Sequence, residues 1–162
     1  MVPERSVQQL LMCFRKTDAI IADFSKAFDK VNHKLLLTKL DLMCVSYKSL
    51  RWLKSYLTGR KQIVCVNNSL SKYIYVLSGV YQGSHLDPLQ FSLFMNDLPN
   101  MINYANILMY ADDVKVFLSF NNVIEHIYLQ SDLNNFFLWC ECNMMELNIK
   151  ECKCSCSRVV IL

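Results

Sequence analysis

Nothing in these 162 residues approaches the roughly 18 uninterrupted apolar residues that a membrane helix requires. The opening Met1-Val2-Pro3-Glu4-Arg5 has none of the apolar run of a secretory leader. The chain is therefore expected to stay inside the cell, nuclear or cytoplasmic, with no membrane partner. Internal repeats, low-complexity tracts and linkers are also missing, and one domain spanning residues 1–162 is expected. A strong excess of one charge is absent as well. The net charge of +3 and the pI near 8.4 are compatible with a polyanionic partner but do not point to one.

What is present is apolar: 53% of the residues are hydrophobic, enough for a globular chain with a sizeable core. The eight cysteines, in a reducing compartment, read as free thiols or metal ligands rather than disulfides. Cys140-x-Cys142 and Cys152-x-Cys154-x-Cys156 do not have the C-x₂₋₄-C steps of common zinc fingers, which argues against zinc. His33, His85 and His126 lie apart from the acids and from one another, and read as surface or capping groups.

Hydrophobic periodicity sets the expected elements. Ala19-Ile20-Ile21-Ala22 is a short apolar strand. Leu35, Leu36, Leu37 and Leu40, with Lys34 and Lys39 between or beside them, suggest an amphipathic helix entered from Asn32-His33, and a second helix from Ser46 would bury Leu50, Leu53 and Leu57 before Gly59 closes it. Its cations Lys48, Arg51 and Lys54 fit a solvated face, and Tyr47, Trp52 and Tyr56 fit core or boundary positions. Strands are expected over Gln62 to Val66 and Tyr73 to Leu77, around a turn at Asn67-Asn68-Ser69. Asp87-Pro88 reads as N-cap and first helical residue of a helix reaching about Leu98 and stopped by Pro99. A long helix from about Val123 to Met145 would bury Ile124, Ile127, Leu133, Phe137 and Cys140, and Cys152 to Leu162 would form a last strand. Strands and helices in this order predict an α+β layer architecture.

The chemically loaded segment is Tyr110-Ala111-Asp112-Asp113. It lies between two β-prone runs, Ile107 to Met109 and Val114 to Leu118, so two adjacent carboxylates fall at a tight turn. Their charges repel unless a cation or a hydrogen-bond network holds them, and a divalent metal is the natural cation. Asp23 is the first charge after the Ala19-Ala22 strand, so two strand ends could meet at one site. The alternative for Asp112-Asp113 alone is a solvated hairpin turn, where aspartate is common.

Three segments come in the order of motifs A, B and C of reverse transcriptases. They are Asp23-Phe24-Ser25-Lys26-Ala27-Phe28-Asp29, Gly79-Val80-Tyr81-Gln82-Gly83-Ser84, and Tyr110 to Asp113. With Trp52-Leu53, Gly59-Arg60 and the Trp139-Cys140 to Leu147-Asn148 stretch, the chain resembles the jockey-like polymerases of non-LTR retrotransposons from about Arg5 to Arg158. That resemblance implies a polymerase palm, an antiparallel sheet with helices packed on one face, over about residues 18–158. It also implies an incomplete fingers region and a missing thumb, hence a partial domain. The implied activity is RNA-directed DNA polymerization using an RNA template, a DNA primer and deoxynucleotide triphosphates, with two Mg²⁺ or Mn²⁺ ions.

By the same resemblance Asp23, Asp112 and Asp113 are the catalytic metal ligands. Phe28 lies under the incoming sugar and excludes a 2′-hydroxyl, and Gln82 and Gly83 contact the substrate and template. Asp29, one turn further on, reads as structural. The sequence departs from the family at Tyr81 and Asp87, where proline and glycine are usual, and at Glu151, where a lysine is usual; Lys150 or Lys153 could substitute for it. Tyr81 frees a backbone angle, and Asp87 adds negative charge near the expected path of a phosphate backbone. The rival expectation is a catalytically inactive relic or nucleic-acid-binding remnant. An RNA-dependent RNA polymerase is disfavoured by Phe28.

Overall fold

The computed structural model describes residues 16–81, 83–120 and 125–155. The start of the resemblance at Arg5, Gln82, Ile124 and the chain from residue 156 onward lie outside the described residues. The chain forms two compact units. The first comprises the N-terminal segment up to Asp23, Leu98–Trp139 and the segment from Leu147 onward; the second comprises Phe24–Asp97 and Cys140–Glu146. Mixed helix and antiparallel sheet bear out the α+β expectation.

In the first unit, β1 (Lys16–Ala22) is the apolar run expected to be a strand, extended toward its N-terminus. It pairs antiparallel with β7 (Asp113–Phe120) from Lys16↔Phe120 to Ala22↔Val114, and on its other edge with the short strand at Lys153–Ser155. Outside β7 lies β6 (Asn106–Tyr110), and the strand order is β6, β7, β1 and then the Lys153–Ser155 strand. Side chains alternate as a pleated sheet requires: Ala22, Val114 and Val116 are buried, while Asp113 and Lys115 are exposed.

The long helix of this unit runs over Glu125–Cys142 and buries Leu129, Asp132, Phe136, Trp139 and Cys140. The expected stripe was different, since Ile127 and Phe137 are exposed. The cause is Asp132. A charged residue reads as the polar face, yet this carboxylate is fully buried and accepts hydrogen bonds from the backbone N–H groups of Asn103, Tyr104 and Ala105 at 2.9, 2.8 and 2.7 Å. Three such bonds offset the desolvation of the charge and rotate the buried face of the helix.

In the second unit, α1 (Ala27–Lys30) is followed by α2 (His33–Leu42) and α3 (Tyr47–Leu57), and α2 packs on both α3 and α4 (Asp87–Met95). The Asn32 side chain accepts from Leu35 N–H and Ser46 from Ser49 N–H, so both helices start where N-capping residues stand. Leu36, Leu40, Leu57, Phe91, Phe94 and Met95 form the core. Leu50 and Leu53 are half-buried. The C-cap of α3 is Thr58, and Gly59 follows it with φ +74°, the left-handed conformation expected of a glycine just past the helix end.

Several expectations change in this unit. Residues 61–75 form two pairs of two-residue strands, β2 (Lys61–Gln62) with β5 (Ile74–Tyr75) and β3 (Cys65–Val66) with β4 (Ser69–Leu70), all exposed. Tyr47 and Trp52 are exposed, with Trp52 stacked on Tyr56 at 5.4 Å. His33 is buried rather than superficial, its Nε2 2.8 Å from the Gly79 carbonyl. The cap of α4 is Leu86, and Asp87 is its first residue; the helix ends at Met95, and Pro99 falls in a separate 3₁₀ turn, Leu98–Met101. Lys39 holds Asp97 and the Phe94 carbonyl, each at 2.7 Å; burial lowers its pKa, with the Asp97 contact opposing that shift. No helix among the described residues is long and apolar enough to cross a membrane.

Candidate functional site

Two strand ends carry the acids. The ladder of β1 and β7 closes at Ala22↔Val114, so Asp23 leaves β1 at the same end of the sheet at which Asp113 enters β7. Tyr110 pairs with Asp113, which leaves Ala111 and Asp112 as a two-residue hairpin loop. Ala111 has φ +51°, where glycine is the usual residue of such a loop. An alanine there costs on the order of 1–3 kcal/mol.

Asp23 is further fixed from outside the sheet pair. Its carbonyl accepts a 2.8 Å hydrogen bond from Asn148 N–H, and the Cys152 thiol lies 3.9 Å from the same oxygen. The Leu147-Asn148 segment thus contributes its backbone to the end of β1. Glu151 donates its own N–H to the Asn148 carbonyl at 2.9 Å, while its side chain and that of Lys150 are exposed.

Asp112 and Asp23 are half-buried and Asp113 is exposed. Among the described residues, no hydrogen bond or ion pair engages these three carboxylate side chains. Nor does any trio of His, Cys, Asp or Glu side chains among them sit close enough to hold a metal ion ready-made. The donor chemistry nevertheless fits a hard divalent cation: the set is oxygen only, uncommitted to other partners, and mounted at one end of a four-stranded sheet.

In the second unit Phe28 is half-buried, its ring stacked on Phe91 with centroids 4.4 Å apart. Gly83 has φ +89° and would meet nothing within 4 Å if it bore a Cβ. Its N–H donates to Asp87 Oδ2 at 3.1 Å, and Asp87 is buried. The charge at position 87 is therefore engaged in holding the Gly83 turn. Gly79 is the glycine in close contact: a Cβ there would lie 2.8 Å from the Asp29 carbonyl oxygen, and φ is +86°. Asp29 and Gly79 thereby brace the two motif segments against each other through backbone.

Sequence reasoning passed over Gln90 and Asp132. Gln90 is 2% exposed, and among the described residues neither its Nε2 nor its Oε1 has a partner. A polar residue inside the apolar run Pro88-Leu89-Gln90-Phe91 is a signal that was there to be seen.

The chain matches the model of the reverse transcriptase (RNA-dependent DNA polymerase) family over residues 5–160. It is 36% identical over 140 residues to a probable RNA-directed DNA polymerase from transposon BS of Drosophila melanogaster, covering 81% of this chain and 15% of that protein. Against the RNA-directed DNA polymerase from mobile element jockey of Drosophila funebris, identity is 31% over 138 residues, covering 80% of this chain and 15% of the relative. The chain thus spans about 15% of the length of the curated relatives it matches.

Its fold is similar to apo telomerase from Candida tropicalis, with a TM-score of 0.72 at 9% identity over 95% of this chain and 31% of that one. It is also similar to telomerase from Candida albicans in complex with a fragment of telomeric RNA, with a TM-score of 0.67 at 14% identity, covering 93% of this chain and 30% of that chain. Divalent-metal dependence is general to the family these matches define. The chain belongs to the reverse transcriptase (RNA-dependent DNA polymerase) family, in the branch of the non-LTR retrotransposon enzymes exemplified by jockey, the X-element and BS.

Proposed function

We propose that this chain carries the nucleotidyl-transfer centre of an RNA-directed DNA polymerase, extending a DNA primer along an RNA template with deoxynucleotide triphosphates. The observation that supports this most is the register of the sheet, which brings Asp23 and the Asp112-Asp113 hairpin to one end of two paired strands. Asp23 and Asp112 would hold two divalent ions, with Asp113 as the more peripheral ligand. Such ions neutralise charge on the attacking and leaving oxygens of an in-line phosphoryl transfer.

The protein's own contribution is placement. The Asn148 N–H fixes the backbone at Asp23, and the hairpin fixes Asp112 beside the start of β7. Phe28, its ring held by Phe91, would occupy the space a ribose 2′-hydroxyl needs and so favour deoxynucleotides. Gln82 and Gly83 would meet the template, where the lack of a side chain at position 83 permits close backbone approach.

The test is extension of a DNA primer on an RNA template with Mg²⁺, comparing the unaltered chain with Asp112→Ala. Extension that is lost in the variant supports the reading, and extension that survives it removes Asp112 from the chemistry. The rival reading is a catalytically silent remnant that retains the fold and can carry a stability defect such as the buried Gln90 amide, which has no partner among the described residues. It expects no extension by either chain.

A further inference from the structure

Beside the Gly79 turn, the second unit holds a cavity of about 510 Å³ lined by Asp29, Arg60, Lys61, Ser78, Gly79 and Tyr81 among others. That volume lies within the range that takes a nucleotide-sized ligand, about 300–1,000 Å³. Its walls combine two cations and an aromatic ring with a single carboxylate. The Arg60 guanidinium donates from Nη2 to the Gly79 carbonyl at 3.0 Å and lies 5.8 Å from the centre of the Tyr81 ring. Arg60 Nε is buried, and no acceptor is found for it among the described residues. Lys61 Nζ lies over the rings of Tyr73 and Tyr75, at 4.3 and 5.3 Å from their centres. All three tyrosines are more than half exposed.

Cations interleaved with exposed aromatic faces are the physical signature of a single-stranded nucleic-acid platform. Rings accept bases by stacking without regard to sequence, and cations follow the phosphates. We propose that Arg60, Lys61 and Tyr81 form a binding site for one nucleotide of single-stranded RNA, its base stacked on Tyr81 and its phosphate on Lys61. This deepens the polymerase reading and rests on it, because it assigns the strand to the template class. Tyr81 stands where the family usually has proline, which has no aromatic face, so the stacking site is a property of this chain. Asp29 on the same wall disfavours a bare, multiply charged phosphate and leaves a diester, with one charge per residue, as the better match.

The experiment is fluorescence anisotropy of the full 162-residue chain with a labelled, unstructured oligouridylate, titrated at several salt concentrations. It is run for the unaltered chain, Tyr81→Leu, Tyr81→Phe and Lys61→Gln, with primer extension measured in parallel. Tyr81→Leu should weaken binding about tenfold or more, and Tyr81→Phe should retain it. Lys61→Gln should reduce the salt slope by about 0.7, the loss of one single-strand phosphate contact. Oligouridylate carrying 5-iodouridine should photocrosslink to the peptide containing Tyr81, a readout that a merely structural tyrosine would not give. Binding by the unaltered chain that is indifferent to Tyr81→Leu and Lys61→Gln overturns the pocket and leaves the polymerase reading standing. A chain that neither binds RNA nor extends a primer overturns both.

Discussion

Replacing Gln90 with leucine should make this protein more stable. Gln90 lies on α4 with 2% of its surface exposed, and both polar atoms of its amide lack partners among the described residues. A neighbouring cavity of about 420 Å³ is lined by Leu40, Leu53, Leu86, Leu89, Leu93 and Trp52 along with Gln90 itself. An amide buried without compensating hydrogen bonds costs about 1–3 kcal/mol on the scale of protein substitutions. Leucine removes that cost, adds branched methyl groups facing apolar neighbours, and keeps a good helix former on α4. The expected gain for Gln90→Leu is about 2 kcal/mol, since the side chains are similar in volume and little repacking is needed. For a chain of this size that corresponds to about 4–8 °C in Tm. Urea unfolding followed by circular dichroism reads it directly, as a higher midpoint at unchanged slope. Gln90→Glu serves as the opposite control, because it buries a charge at the same place. An unchanged or lower midpoint for Gln90→Leu would refute the reasoning and show that the amide is satisfied in solution.

Four further outcomes follow from the geometry. Asp132→Ala should cost on the order of 3 kcal/mol or more, because it strands three backbone N–H groups that its carboxylate now satisfies; the same denaturation assay measures it. Gly79→Ala should destabilise by at least ~2 kcal/mol, since the new Cβ meets the Asp29 backbone and the φ angle disfavours any L side chain. Phe28→Val should raise ribonucleotide incorporation relative to deoxynucleotide in primer extension, and an unchanged ratio would return Phe28 to a purely structural role against Phe91. Lys39 releases its proton below the ordinary 10.5 when folded, so between its lowered pKa and 10.5 the unfolded chain binds more protons and the lysine's contribution to stability rises with pH. Lys39→Met should flatten that alkaline rise in pH-dependent unfolding.

Elements whose cause is local were legible in the sequence. Asn32 and Ser46 announce helix starts because a side-chain oxygen caps the N–H groups just ahead of it, and β1 and the β6–β7 hairpin show the apolar, β-prone runs of paired strands. Elements decided by distant partners were not. His33 looks like a surface group until the Gly79 carbonyl, 46 residues away, is found bonded to its ring. Asp132 has the residue type of a solvent-facing charge until its three amide donors are seen, and the buried face of the long helix includes it while Ile127 and Phe137 are exposed. The strand-end positions of Asp23 and of Asp112-Asp113 were legible from the apolar runs beside them. The anchoring of Asp23 by Asn148 was not, because a backbone donor leaves no trace in residue type.

The Ala111-Asp112 loop joins two paired strands, with Tyr110 84% exposed beside it, and among the described residues the carboxylates of Asp112 and Asp113 make none of the hydrogen bonds that hold the sheet. Removing the Asp112 carboxylate therefore leaves the hydrogen bonds of the sheet in place. A chain that has lost the Asp112 carboxylate is expected to unfold at the same midpoint as one that keeps it, so stability alone does not retain an acid at this tip.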